Sequence, residues 1–386
     1  MILKDRISTE FSTRFHKKPS LFLAPGRINL IGEHIDYNEG FVLPAAINKH
    51  FVFAMTPSGN EKCNIYSNDF EEGVSFSIHD LHPGEEWINY LMGVLDAFER
   101  KGLLKQGVDC VFGGNIPTGA GMSSSAALCT GFGFALNEVF ELGLDKLALA
   151  RMAQYSEHEF VGVNCGIMDQ YASLFGEKNS ALLLDCRNLT HEVVPFGFSK
   201  HSILLVDSKV KHTLGTTAYN ERREACEEGV RIIRMKHPEV QSLRDVSRVM
   251  LYGEQDKLGE EIFIKCRFVI EEIARAQKGG ELLKSKDLIG FGALMYEAHW
   301  GLSKAYEVSC NELDHLVLLA EEDKQIVAGA RMMGGGFGGC TINLVAKGQE
   351  DSFKERVRQK YFATFKKEPG FYPVQLSSGT HKLTTD

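Results

Sequence analysis

The segment Gly113–Ala127, GGNIPTGAGMSSSAA, follows the strand-like run Val108–Phe112 and leads into the helical spacing of Ser123–Phe140. A strand–loop–helix unit of this composition suits an anion. Glycines let the backbone approach a charged ligand closely, and the unpaired N–H groups at the positive end of the helix dipole favour phosphate. Ser123, Ser124 and Ser125 add hydroxyls for phosphate oxygens or a cation. No Gly-Lys-Ser/Thr stands at Walker spacing, and a serine replaces the third glycine of the Rossmann fingerprint, so neither of those nucleotide folds applies. Gly-x-Gly alone fits a tight turn with serine helix caps equally well.

The rest of the chain must accommodate that unit. At 386 residues it exceeds the size, roughly 250–300 residues, at which single cores stop growing, so two packed domains with a cleft between them are expected. Apolar residues make up 44% and charged ones 24%, which excludes the disordered and membrane profiles. A net charge of −8 argues against nucleic acid or an anionic membrane as the main partner. The start, MILKDRISTEFSTRF, has no apolar run of signal-peptide length and no later stretch approaches a spanning helix, so a cytoplasmic location is expected. Nine cysteines without a C-x-x-C pair read as small apolar residues, with neither disulfides nor structural zinc.

Helix and strand signals are mixed throughout. Phe22–Ala24, His50–Met55 and Val108–Phe112 read as strands; Trp87–Lys101, Ser123–Phe140 and Leu144–Phe160 carry helical spacing. The pattern breaks at Val193–Gly197, restarts with the strand His201–Asp207, and continues in a charged helix from about Ala218. Helices then fill Gly253–Glu322, followed by a glycine run and the strand-like Cys340–Ala346 and Tyr372–Leu376. The expected class is α+β with two domains, 1–197 and 198–386, and the active site in the cleft between them.

Upstream of the phosphate loop, Ala24–Asn38 (APGRINLIGEHIDYN) packs Arg27, Glu33, His34 and Asp36 within 10 positions. Such a loop suits a polyhydroxylated ligand, because carboxylates and imidazole exchange hydrogen bonds with hydroxyls. Any one of these residues alone would read as part of a surface ion pair.

Together, Pro-x-Gly-x-Gly-Met-Ser-Ser-Ser-Ala resembles the phosphate loop of the GHMP kinase superfamily, and Gly-Arg-x-Asn-Leu-Ile-Gly-Glu-His-x-Asp-Tyr resembles the narrower galactokinase signature. Cys165–Gln170, Tyr219 with Arg222-Arg223, and Met333–Cys340 are similar to further galactokinase motifs in the same order, over roughly residues 20–380. The resemblance implies an ATP-dependent kinase acting on the C1 hydroxyl of galactose. It implies a sugar pocket of Glu33, His34, Ile35, Asp36, Asp169 and Tyr219, with Asp36 reading the axial hydroxyl. The triphosphate would lie on Gly119, Ala120, Gly121, Met122, Ser123, Ser124 and Ser125, with Ser67 as a further nucleotide contact. Ser125 and Glu157 would reach Mg2+, although by its own spacing Glu157 reads as a solvated helix position. Asp169 and Arg27 are the expected catalytic pair. An aspartate of ordinary pKa, about 3.9, is too weak a base to strip a sugar hydroxyl beforehand, so it would orient the hydroxyl and take the proton late, as a loose phosphoryl-transfer transition state allows. Arg222 and Arg223 read as structural charges, and Gly334–Gly339 as a turn bracing the site. A galactose sensor that turns over poorly, and a kinase for N-acetylgalactosamine or arabinose, remain alternatives on sequence alone, as does the oligomeric state.

Overall fold

The computed structural model describes residues 2–84, 87–117, 119–210 and 215–384. Thr118 of the phosphate-loop motif lies outside the described residues. In the first half the chain runs through α1 (Leu3–Phe15), β1 (Ser20–Asn29), β2 (Phe41–Val42), β3 (Pro44–Pro57), β4 (Lys62–Ser67), β5 (Glu72–Ser77), α2 (Ile88–Glu99), β6 (Val108–Gly114), α3 (Ser124–Val139), α4 (Lys146–Ser156), α5 (Met168–Phe175), β7 (Ser180–Asp185) and β8 (Thr190–Pro195). The second half holds β9 (His201–Asp207), α6 (Gly215–Arg234), α7 (Arg248–Gly253), α8 (Gln255–Ser285), α9 (Leu288–Gly301), α10 (Asn311–Glu321), β10 (Val327–Met332), β11 (Cys340–Ala346), α11 (Glu350–Phe365), β12 (Gly370–Val374) and β13 (His381–Lys382).

Three sheets organise these elements, in the orders β13-β1-β3-β6-β4-β5, β10-β11-β9-β12 and β2-β7-β8. The mixed α+β class agrees with the sequence reading. β6 is buried over six of its seven residues, which explains why Val108–Phe112 reads as a near-continuous apolar run. It lies between β3, antiparallel, and β4, parallel. Its C-terminal end therefore feeds the phosphate loop from the middle of the sheet, and the loop runs into α3, which packs back on β1 and β3.

The largest apolar cluster joins both halves, from Ile28, Leu30 and Ile35 to Phe268, Met295 and Met332. The chain end also crosses back: β13 pairs with β1 at Phe22–Lys382 and Leu23–His381, and Ile47 bridges to Leu376. α1 covers the opposite sheet face with Ile7 and Phe11 against Val52 and Val111. Neither α1 nor the return of the tail was anticipated from the sequence. No helix among the described residues is long and apolar enough to cross a membrane.

Candidate active site

One cleft of about 320 Å³ collects most of the residues singled out above, a volume at the lower end of that typical of small-molecule sites, about 300–1,000 Å³. Its walls include Arg27, Glu33, His34 and Asp36 from the sugar motif, Gly119–Ser125 from the phosphate loop, Glu157, Asp169, Tyr219 and the glycine run Gly334–Phe337. Pro117, Val163, Cys165, Gly166 and Met168 complete the wall. Ile35 and Ser67 stand apart. Ile35 is fully buried in the apolar core, leaving its side chain no access to a ligand. Ser67 is also buried, at the end of β4, its Oγ accepting from Phe70 N at 3.4 Å.

At the centre, Arg27 clamps Asp169 with two parallel bonds, Nε to Oδ1 at 2.6 Å and Nη2 to Oδ2 at 2.7 Å. This bidentate fork fixes the carboxylate plane as well as its position. Ser123 Oγ donates to the same Oδ2, and Arg27 Nη1 donates to Gly121 O at 2.7 Å. The pair thus ties β1, the phosphate loop and the first turn of α5 together. Burial works against the Arg27 charge, but Asp169 and then Glu33 outweigh it and raise its pKa. Gly121 has φ +71°, and a Cβ there would stand 3.2 Å from Met333 O, so this left-handed turn of the phosphate loop favours glycine.

Asp36, in a short 3-10 turn, faces Asp169 across the pocket. Burial, then the Asp169 charge, pushes its pKa up to about 6 against hydrogen bonds from Met168 N and Tyr37 N. A Cβ at position 166 would lie 2.0 Å from Asp36 Oδ2, so Gly166 is the residue that lets this carboxylate sit where it does. Glu33 is 2% exposed; its Oε1 accepts from Arg331 Nη2 and Gly334 N, each at 2.8 Å. Burial raises its pKa, but Arg331 and Arg27 bring it below the ordinary value.

His34 is engaged at both ring nitrogens: Nε2 lies 3.1 Å from Gly335 O and Nδ1 2.9 Å from Tyr37 Oη. A carbonyl only accepts, so Nε2 carries the hydrogen and Tyr37 donates to Nδ1. Burial lowers the His34 pKa to about 4, which keeps the ring neutral near pH 7. Its ring centroid lies 5.0 Å from that of Tyr219 and 5.1 Å from that of Tyr306. Arg222 donates to Tyr306 O at 2.8 Å and Arg223 to Asn164 O at 2.9 Å; these are structural bonds, in keeping with the sequence reading.

Glu157 is not the solvated position its spacing suggested. It is 6% exposed and begins a five-residue π turn, Glu157–Val161, that ends the helical run of α4. Such wide turns often occur at functional sites. The turn directs the carboxylate inward, where it accepts from Gln170 and lies beside Ser125. Burial pushes its pKa up to about 7, with the Asp169 charge adding to it. Two hard oxygen donors, one of them a carboxylate held against its preference to ionise, fit a magnesium ion completed by phosphate and water.

Residues 89–177 match the GHMP kinases N terminal domain, 281–363 the GHMP kinases C terminal, and 9–57 the galactokinase galactose-binding signature. A galactokinase of Thermotoga neapolitana is 40% identical over 93% of this chain and 99% of its own length. The chain belongs to the galactokinase family. A galactokinase of Roseiflexus sp. is 36% identical over 99% of this chain and 96% of its own length. The crystal structure of Lactococcus lactis galactokinase complexed with galactose, 34% identical, superposes with a TM-score of 0.92 over 97% of this chain and 98% of its own. A mevalonate kinase structure at 17% identity and TM-score 0.65, covering 93% of this chain and 99% of its own, shares the fold alone. The signature match spans β1 and the residues that carry Arg27, Glu33, His34 and Asp36, while the N-terminal model covers the phosphate loop, Glu157 and Asp169.

Proposed function

We propose that the chain transfers the γ-phosphate of ATP to the C1 hydroxyl of galactose, with Asp169 orienting that hydroxyl and accepting its proton. The observation that carries the reading is the Arg27–Asp169 clamp at the meeting point of the sugar motif and the phosphate loop. Phosphoryl transfer needs an oriented oxygen, compensated phosphate charge and in-line geometry, and little covalent help. Asp169 supplies the first, its position held by Arg27 and Ser123. Arg27 spends three of its five donors on protein acceptors, which makes it chiefly the group that places Asp169 and the loop, with two N–H groups left for developing charge. Asp36, Glu33 and Tyr219 line the sugar side of the cleft, and Gly119–Ser125 the triphosphate side. Ser125 and Glu157 are the residues that would hold Mg2+, which neutralises phosphate charge when bound. His34 contributes by position, since both of its nitrogens are already paired.

A coupled ADP-release assay across a sugar panel with MgATP tests the reading. Activity confined to galactose and its close deoxy analogues is expected; no sugar-dependent ADP release would overturn it in favour of a sensor. Asp169→Asn should still bind galactose by calorimetry while kcat falls by about 10²–10⁴, the usual worth of a general base. Arg27→Ala should also lose kcat, and the double variant should be little worse than the poorer single one, because the two side chains act as one unit. Multiplicative losses would assign them independent roles.

A further inference from the structure

Arg331, in β10 of the second half, is the largest fully buried side chain among the described residues, and it lies outside the cleft wall. Its guanidinium donates from Nη2 to Asn29 O at 2.6 Å and Glu33 Oε1 at 2.8 Å, from Nε to Leu30 O at 2.9 Å, and from Nη1 to Met332 O at 2.8 Å. Three of those four acceptors belong to the end of β1 and the turn that follows it in the sugar motif. A second buried group of the second half grips the same turn: Glu272 of α8 accepts from Gly32 N at 3.0 Å and is itself paired with Arg275. The turn between Asn29 and Glu33 is therefore held at two carbonyls, one N–H and one carboxylate by side chains some 240–300 residues away in sequence.

Only one oxygen of Glu33 is used by this arrangement. Oε1 takes both Arg331 and Gly334 N, and Oε2 has no hydrogen-bond partner among the described residues although Glu33 lines the cleft. A carboxylate pinned at one oxygen and free at the other presents a single acceptor in a fixed direction, which is what discriminating one hydroxyl from its neighbours requires. Lysine in place of arginine would keep the charge but not the planar fork that reaches two carbonyls and the carboxylate at once.

We infer that Arg331, seconded by Glu272, is a positioning residue for sugar specificity: it fixes the direction of Glu33 Oε2, and through it the reading of one galactose hydroxyl. This rests on the proposed sugar role of Glu33. The test uses kcat/KM of the full chain for galactose and its 2-, 3-, 4- and 6-deoxy analogues. In the parent, removing the hydroxyl that Glu33 reads should cost at least about tenfold, and Glu33→Ala, insensitive to that one deletion, identifies it. In Arg331→Lys, with folding checked by thermal melting, the penalty for that same hydroxyl should fall to about threefold or less, while the other penalties and the KM for ATP stay at parent values. Glu272→Ala should act in the same direction and provides the reading if Arg331→Lys does not fold. Persistence of the penalty in the folded variants, or an equal fall for every hydroxyl, overturns the inference, as does loss of folding in both, which would assign the pair to the scaffold. Should Glu33→Ala leave every penalty intact, the sugar role of Glu33 falls, and the inference with it.

Discussion

Asp36 and Glu157 are carboxyls that the fold holds against their tendency to ionise, and both consequences can be measured. The folded pKa of Asp36, about 6, lies above its unfolded value. The stability it contributes is therefore present below about pH 4 and lost as pH rises through about 6. Asp36→Asn should raise the melting temperature of the ligand-free protein at pH 7.5 by about 1–3 °C, leave it unchanged at pH 4, and raise the KM for galactose. Melting curves across that range check the sign; a destabilised variant at pH 7.5 would contradict it. Glu157, at about 7, is mostly protonated at pH 6, so MgATP binding there should release a proton. The release should vanish at pH 8.5 and in Glu157→Gln, which should also need more magnesium. Calorimetry in two buffers of different ionisation enthalpy reads it directly.

Elements matter here mainly through their ends. α3 delivers the phosphate loop through Ser123, whose φ of +52° turns the hydroxyl back to Asp169 instead of leaving it as a conventional helix cap. α4 delivers Glu157 because its last turn widens, and α5 delivers Asp169 from its first turn. The link between α4 and α5 must pass Asp36 at van der Waals range or closer, which is why Gly166 is needed. Gly166→Ala should raise the KM for galactose at least about tenfold while leaving the KM for ATP near the parent value, since the phosphate loop is reached from the other side. Equal effects on both substrates would mean that the link supports the whole cleft.

On the scale of the molecule, the two halves are fastened from both directions. The second half grips the sugar motif through Arg331 and Glu272, and the chain end returns to the first sheet, where Thr380 Oγ1 donates to Ser173 O at 2.9 Å and β13 covers the edge of β1. Ser173 in turn donates to Pro25 O at 2.8 Å, just before Arg27. Deleting residues 378–386 should lower the melting temperature by about 3–6 °C and expose a sheet edge that promotes association. Thermal melts with light scattering measure both; an unchanged melt would make the tail a passive cover.

Local pattern was enough for the strands β1, β3, β6 and β9 and for helices α2 and α3, while most of the cleft was legible through the resemblance of its motifs to those of galactokinases. Arg27, Glu33, Asp36 and the phosphate loop sit in short motifs whose chemistry is carried by neighbours in the chain, so their types and spacing are visible in the sequence. The burial of Glu157, the pairing of both His34 nitrogens, the retreat of Ile35 and Ser67 from the cleft, and the grip of Arg331 and Glu272 were decided by tertiary structure. Each depends on what stands opposite in space. A carboxylate four-fifths of the way along an amphipathic helix looks solvated until the helix widens beneath it, and an arginine before a glycine run looks ordinary until three acceptors from 300 residues away close around it. Spacing encodes which face a side chain takes along its own element; only packing determines what that face meets, and burial and charge follow from the meeting.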